Sequence, residues 1–195
     1  MLRSLAARRV LASDGWHRDA EVRVTDGTIV DVVPASGPVP DVVLAPGFVD
    51  LQVNGIDDVD CTTADGDQWD RLDHLLLAQG VTSWCPTLIT MRLDRFAAPL
   101  ARIATAMARP ADLRPEIVGA HLEGPFLGGA PGAHRRELIV PIDLDWLRAL
   151  PSHVAMVTLG AEQPDAVAAI TLLVDRGVLV SVGHTTAGHD AVGAA

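Results

Sequence analysis

The sequence is short of aromatic residues, of cysteine and of positive charge. Aromatics make up 4% of 195 residues while hydrophobic residues make up 49%. A core must therefore be built from Ala, Val and Leu, which suits an α/β protein and excludes a disordered chain. There are two cysteines, Cys61 and Cys85, in no CxxC arrangement, so they read as buried thiols in a reducing cytosol. No run of 18 apolar residues is present, which excludes a helix spanning a bilayer. Basic residues number 15 against 25 acidic ones, a net charge of −10. That balance disfavours nucleic acid and membrane as partners, and a phosphorylated substrate would need local donors. Residues 1–12 are Arg-rich and acid-poor and loosely imitate a transit peptide. They lack the apolar core of a secretory signal and continue into a hairpin, so they read as a first strand region and the expected compartment is the cytoplasm.

The N-terminal part reads as β-rich. Glu21-Val22-Arg23-Val24 alternates polar and apolar, Asp26-Gly27 marks a tight turn, and Thr28–Val33 answers as a return strand. Pro34–Pro40 is a Pro/Gly/Ser linker, and the expected organisation is a small β-rich segment over 1–45 followed by a second region over 46–195. From Val42 the pattern changes to apolar runs that end in polar groups. Residues 67–79 have helical spacing (Trp69, Leu72, Leu75, Leu76) and stop at Gly80. Val81–Leu88 reads as a strand, and Leu93–Met107 carries a helical apolar stripe. Glu116–Glu123 is the next strand and Gly128–Glu137 a Gly-rich, flexible connection. A short helix over 144–150, a strand over 154–159, a helix over 164–176 closed by Gly177, a strand over 178–184 and a last helix from about Ala187 complete the series. Strands alternating with helices imply a parallel sheet, and continuous apolar strands imply that both its faces are covered.

Polar residues gather where these strands end: Gln52 and Asn54, Glu123, His184. The C-terminal ends of parallel strands carry the chemistry of such folds. In Ala120-His121-Leu122-Glu123-Gly124-Pro125, the side chains of His121 and Glu123 share a face. A carboxylate at the end of a buried strand is costly without a partner. Glu123 is thus a candidate metal ligand, general base or half of an ion pair, and His184 a candidate ligand, base or packed core histidine. Oxygen and imidazole donors together suit zinc or another divalent transition ion. A zinc-deaminase reading of His121-x-Glu123 fails, because no P-C-x-x-C follows. The glycines at 128, 129 and 132 do not form a phosphate loop, for want of G-x-x-x-x-G-K-[ST]. His17, His74, His153 and His189 read as surface or packing residues.

Four stretches together resemble one family: Pro46-Gly47-Phe48-Val49-Asp50-Leu51-Gln52-Val53-Asn54-Gly55, His121-Leu122-Glu123-Gly124-Pro125-Phe126, Gly132-Ala133-His134 and Ser181-Val182-Gly183-His184-Thr185. The chain looks like the N-terminal half of the N-acetylglucosamine-6-phosphate deacetylases, in the amidohydrolase superfamily. The resemblance implies an incomplete (β/α)8 barrel of about five strands, preceded by part of a small β-sandwich. It makes Glu123 and His184 ligands of one divalent metal ion, zinc or iron. It makes Ala133 and His134 contacts to the sugar, and it sets Gln52, Asn54 and His121 around the site. Gln52-x-Asn54 stands where many amidohydrolases carry H-x-H, which favours a single-metal site. The implied reaction is hydrolysis of N-acetylglucosamine 6-phosphate to glucosamine 6-phosphate and acetate, by an enzyme that is a homodimer at full length.

The family's further metal-binding His, in a T-H-x-x-N-A-M-like segment, and its proton-shuttling Asp are not in this sequence, so no catalytic acid or base is assigned here. The expectation is a partial deacetylase with little activity alone. The alternatives are a non-catalytic remnant or interaction partner that completes its barrel with another chain, and a related amidohydrolase acting on a cyclic amide or another acetamido sugar. Ala161 stands where the family usually has Pro before Glu162, which predicts a looser loop there. Arg135 and Arg136 are candidate phosphate donors beside the solvated-surface reading.

Overall fold

The computed structural model describes residues 2–110 and 113–193. The chain divides into two compact units, Met1–Gly47 and Phe48–Ala195.

In the first unit, β1 (Leu2–Ala12) and β2 (Gly15–Thr25) pair antiparallel, and β3 (Thr28–Pro34) pairs with β2. The β2–β3 turn has Asp26 and Gly27 at φ 50° and 80°. This is the two-residue turn whose twist suits a hairpin. A two-residue strand, β4 (Val43–Leu44), pairs parallel with β1, giving the order β3-β2-β1-β4. Ala7, Val10, Ala20 and Val22 are buried together, with Val24, Val32 and Leu44 packed on them.

The second unit begins with β5 (Phe48–Val53) and a small hairpin of β6 (Gly55–Ile56) and β7 (Val59–Asp60). Then follow α1 (Gln68–Ala78), β8 (Val81–Ile89), α2 (Ala97–Met107), β9 (Glu116–Ile117) and β10 (Ala120–Glu123). The unit closes with α3 (Leu144–Arg148), β11 (Val154–Leu159), α4 (Ala166–Asp175), β12 (Leu179–Val182) and α5 (His189–Gly193). The strands lie in the order β12-β11-β10-β8-β5, with β9 beside β8. Every pairing in that sheet is parallel. This is a curled half-barrel of five principal strands, as the alternation of strands and helices requires.

The helical stripes face the core as their spacing predicts. Trp69, Leu72 and Leu76 of α1 and Leu100, Ile103 and Ala106 of α2 are buried, with Phe96 just before α2. They pack with Trp84 and Leu88 of β8 and Leu122 of β10 in one cluster. Both cysteines are buried. Burial pushes the Cys61 thiol up to about 12, so it remains a thiol at neutral pH, and its Sγ donates to the Val53 carbonyl at 3.1 Å.

Three elements differ from expectation. The apolar run from Val42 is divided by Pro46-Gly47: Val43–Leu44 joins the first unit's sheet and Phe48–Val53 the half-barrel. Proline supplies no ladder donor, which separates the two segments. The strand expected over 116–123 is broken into β9 and β10. At the break, the Val118 amide donates to the Trp84 carbonyl and the Ala120 amide to that of His153. Past the break the segment keeps β8 as a neighbour and gains β11 on its other side, and Gly119 lies against the start of β11. Finally, β12 ends at Val182, so Gly183 and His184 lie beyond the strand. Burial on both faces holds for β10, where all four residues are buried, but not for β5 or β12. Phe48, Val49, Leu51 and Leu179 are exposed, because β5 and β12 stand at the edges of the sheet.

A methyl group at Gly119 would sit 2.6 Å from the Ala155 Cβ and 2.7 Å from the His153 carbonyl oxygen. Backbone cannot withdraw as a flexible side chain can. Gly119→Ala is expected to cost about 1–3 kcal/mol, measured by urea unfolding. An unchanged midpoint would show that β10 and β11 can separate freely there.

Candidate metal centre

Glu123 is the last residue of β10 and is 7% exposed. The chain turns away at Gly124, at φ 86°, where an added Cβ would come 2.2 Å from the Thr90 Oγ1. Only glycine combines that backbone with that proximity. The Thr90 hydroxyl instead donates to the Glu123 carbonyl at 3.2 Å, which fixes the end of the strand.

The carboxylate meets three side chains. Gln52 Nε2 donates to its Oε1 at 2.9 Å, and His184 Nε2 donates to the same oxygen at 2.9 Å. His134 Nε2 lies 3.7 Å from it. The two imidazole rings meet edge to face, with centroids 4.5 Å apart. Burial alone would raise the Glu123 carboxyl, but the His184 hydrogen bond, the His134 ring and the Gln52 amide outweigh it and leave it below its ordinary value. The group therefore stays ionised. Burial lowers His134, with the charge of Glu123 opposing and His184 adding to the effect.

Each donor arrives from a different strand end. Gln52 comes from β5, Glu123 from β10, His134 from the loop after β10 and His184 from the loop after β12. His184 has φ 52°, and its carbonyl accepts from the Gly128 amide at 2.9 Å and the Ala130 amide at 3.4 Å. His134 closes a turn in which its amide donates to the Pro131 carbonyl at 3.1 Å. Ala133 is exposed on that turn.

His121 does not reach Glu123, although it shares a face of β10 with it. It is fully buried and acts as a cross-tie. Its Nδ1 donates to the Leu51 carbonyl at 2.9 Å and approaches the Thr87 hydroxyl at 3.2 Å. A carbonyl can only accept, so the proton is assigned to Nδ1 and the Nε2 lone pair accepts from Thr158 Oγ1 at 2.8 Å. Burial lowers its pKa, which keeps it neutral. One ring thereby joins β5, β8, β10 and β11. Asn54 lies just past the end of β5 and is exposed, and its backbone carbonyl accepts from the Cys61 amide.

A residue that spacing did not single out is Glu162, in the loop after β11. Its carboxylate accepts from the Gly129 amide at 2.7 Å, from the Thr186 amide at 2.7 Å, from the Thr186 hydroxyl at 3.0 Å and from the Thr185 hydroxyl. It thus pins the loops that carry His134 and His184. Within the glycine-rich connection, the Gly129 amide is held by this carboxylate. A carboxylate one turn past a strand end was the available signal. Arg135, by contrast, is exposed and paired with Glu137 at 2.6 Å. Of the other histidines, His17 bonds Asp14 and His74 the Asp70 carbonyl, both nearby in the chain, while His153 bonds the distant Leu100 carbonyl.

Glu123, His134 and His184 each offer one donor atom, and these lie within 4.8 Å of one another. A carboxylate with two imidazoles is a donor set for a divalent transition ion. Among the described residues, both ion-pair partners of Glu123 are histidines. In addition, the buried Nδ1 of His134 has no hydrogen-bond partner. These residues fit a metal.

Fold and site together define a parallel α/β half-barrel with a His/Glu metal-type cluster at the C-terminal ends of its strands. No family model matches the chain. An N-acetylgalactosamine-6-phosphate deacetylase of Escherichia coli is 35% identical over 96% of this chain and 52% of its own length. An N-acetylglucosamine-6-phosphate deacetylase of Vibrio furnissii is 32% identical over 97% of this chain and 50% of its own. Among solved structures, the deacetylase of Thermotoga maritima superposes with a TM-score of 0.86 at 25% identity, over 98% of this chain and 51% of that one. A mutant of the Mycobacterium smegmatis enzyme in complex with N-acetyl-D-glucosamine 6-phosphate superposes with a TM-score of 0.82 at 30% identity, over 97% and 51%. The chain is similar to the N-terminal half of the N-acetylglucosamine-6-phosphate deacetylases, and it spans about half the length of the relatives it matches.

Two outcomes test the supports of the site. Thr158→Val leaves the buried Nε2 of His121 without a donor and is expected to destabilise by about 1–3 kcal/mol in urea unfolding, with Thr158→Ser close to wild type. The Glu162 carboxyl, against the raising effect of burial, is drawn down from 4.5 to about 2 by the Gly129, Thr185 and Thr186 donors. A depressed carboxyl stabilises the fold above its unfolded value, and that contribution is lost as pH falls toward the folded value. The difference in urea midpoint between wild type and Glu162→Gln should therefore be full at pH 7 and smaller at about pH 3. An equal difference at both pH values would count against the clamp.

Proposed function

We propose that this chain supplies the metal-binding half of an amide hydrolase site that removes the acetyl group from N-acetylglucosamine 6-phosphate. The observation that carries this reading is the convergence of Glu123, His134 and His184 on one point, with their donor atoms within 4.8 Å. Glu123 and His184 hold one divalent ion, zinc or iron. Such an ion supplies Lewis acidity to the acetamide carbonyl and to water. Glu123 contributes because it stays ionised, and Gln52 fixes the direction of its carboxylate through the 2.9 Å hydrogen bond. His184 contributes its Nε2, held in place by the two amides on its carbonyl. Ala133 and His134, on the turn beside the ion site, face the sugar. His121 keeps the strands at their spacing. The net reaction adds water across the amide, giving acetate and the free amine. The first unit, over residues 1–45, is read as part of a small β-sandwich, and 46–195 as part of the barrel.

Two other readings have observations behind them. The Escherichia coli relative is named for N-acetylgalactosamine 6-phosphate, which favours a panel that includes both epimers. The exposed Phe48, Val49, Leu51 and Leu179 at the sheet edges favour a chain that completes its barrel with another.

The test is to splice residues 1–193 onto the remaining half of the Vibrio furnissii relative and measure acetate release from both N-acetylhexosamine 6-phosphates. Turnover is expected, stronger with the glucosamine epimer, and Glu123→Gln should lower kcat by at least about 100-fold. A folded splice that releases no acetate from either sugar would overturn the deacetylase reading and leave the barrel-completing one.

A further inference from the structure

The arginine-rich start of the chain has no part in the metal centre. It forms β1, and the pairing of β1 with β2 sets Arg9 directly opposite Arg18. Like charges directly opposite on paired strands repel and weaken the pair. Elsewhere the structure gives its arginines acceptors. Arg23, Arg71, Arg109 and Arg148 meet carboxylates, and Arg102 and Arg176 meet backbone carbonyls. Among the described residues, neither Arg9 nor Arg18 has a carboxylate or carbonyl on its guanidinium. Arg9 is positioned by another means: its guanidinium carbon lies 5.5 Å from the centre of the Trp16 ring. An aromatic face attracts the cation without offering it an oxygen, so the Arg9 fork is held and its N–H donors remain for a ligand.

Both guanidiniums line a cleft of about 350 Å³, together with Arg8, Asp19, Asp41 and Val43. Arg8 Nε is 3.1 Å from Asp41 Oδ1, so those two charges balance each other. Asp19 lines the cleft at φ 47° and bonds neither Arg9 nor Arg18. Three guanidiniums against two carboxylates leave the cleft positive on a chain of net charge −10. The first unit is itself close to neutral, with five arginines and six carboxylates over residues 1–47. The repulsion of anions expected from the whole-chain charge is therefore mostly a property of the second unit.

We propose that this cleft is an anion site in which Arg9 and Arg18 together hold one phosphate group, free or carried by a small ester. Guanidinium forks donate paired N–H bonds to oxyanions. A carboxylate offers one pair of oxygens and a single charge, which satisfies one fork. A phosphate monoester offers three terminal oxygens and a charge of about −1.5 to −2. It can serve two opposed guanidiniums at once and cancel their repulsion across β1 and β2. The site lies wholly in the first unit and stands whether or not the metal reading does.

The test is isothermal titration of the purified chain with inorganic phosphate at low ionic strength and about pH 8, where imidazoles are neutral. One phosphate should bind with a Kd of about 1 mM or tighter, the yield of two or more charge-assisted hydrogen bonds. Arg9→Gln and Arg18→Gln should each weaken it by about 10-fold or more. Arg148→Gln, an exposed arginine outside the cleft, should leave it unchanged. Glucosamine 6-phosphate titrated in parallel separates the two sources: binding of either form that needs Arg9 and Arg18 supports the site, and the tighter form identifies the occupant. Absence of binding by both forms, or binding that survives Arg9→Gln combined with Arg18→Gln, would overturn it. Phenylglyoxal labelling of the unaltered chain covers the case in which these variants misfold. Phosphate should shield Arg9 and Arg18 from the reagent and leave Arg148 as reactive as before, whereas labelling of Arg9 and Arg18 that phosphate does not change would remove the site.

Discussion

A carboxylate buried at the end of β10 is the constraint around which the second unit is arranged. Glu123 cannot leave the strand, because its own carbonyl is held by Thr90 and the chain must turn at Gly124. An ionised group there needs compensation, and among the described residues no guanidinium or ammonium supplies it. The compensation comes from Gln52, His184 and His134, each brought from another segment. The strand ends and loops are therefore placed by an electrostatic demand as well as by packing.

Two supports keep that arrangement rigid. Beneath it, His121 joins four strands through one neutral ring, using the Leu51 carbonyl and the Thr87 and Thr158 hydroxyls. Beside it, Glu162 gathers the loops after β10 and β12 with backbone and hydroxyl donors. The first is a buried tie and the second an exposed one. They act on different parts of the same problem, since strand spacing sets Gln52 against Glu123 while loop position sets the two imidazoles.

Most of the fold is legible in hydrophobic period and punctuation. Trp69, Leu72 and Leu76 mark α1, and Gly80 and Gly177 mark the ends of α1 and α4, because local sterics decide these features. Glu123 and His184 are legible as polar groups at strand ends. The break at Gly119 is not, since it depends on the approach of His153 and Ala155 from a strand 35 residues later. His121 and Glu123 look alike in the sequence, two apart on one face. Which of them ties strands and which meets the histidines depends on where Leu51, Thr158 and His184 lie.

By itself the sequence determined the alternation of strands and helices, the acidic and cysteine-poor character, and the residue types at the site, because these are local in the chain. Tertiary structure decided which donors meet. It brought His134 to Glu123 and drew Glu162 into the loops, since meeting across parallel strands depends on register and loop path, and neither is encoded in any short stretch.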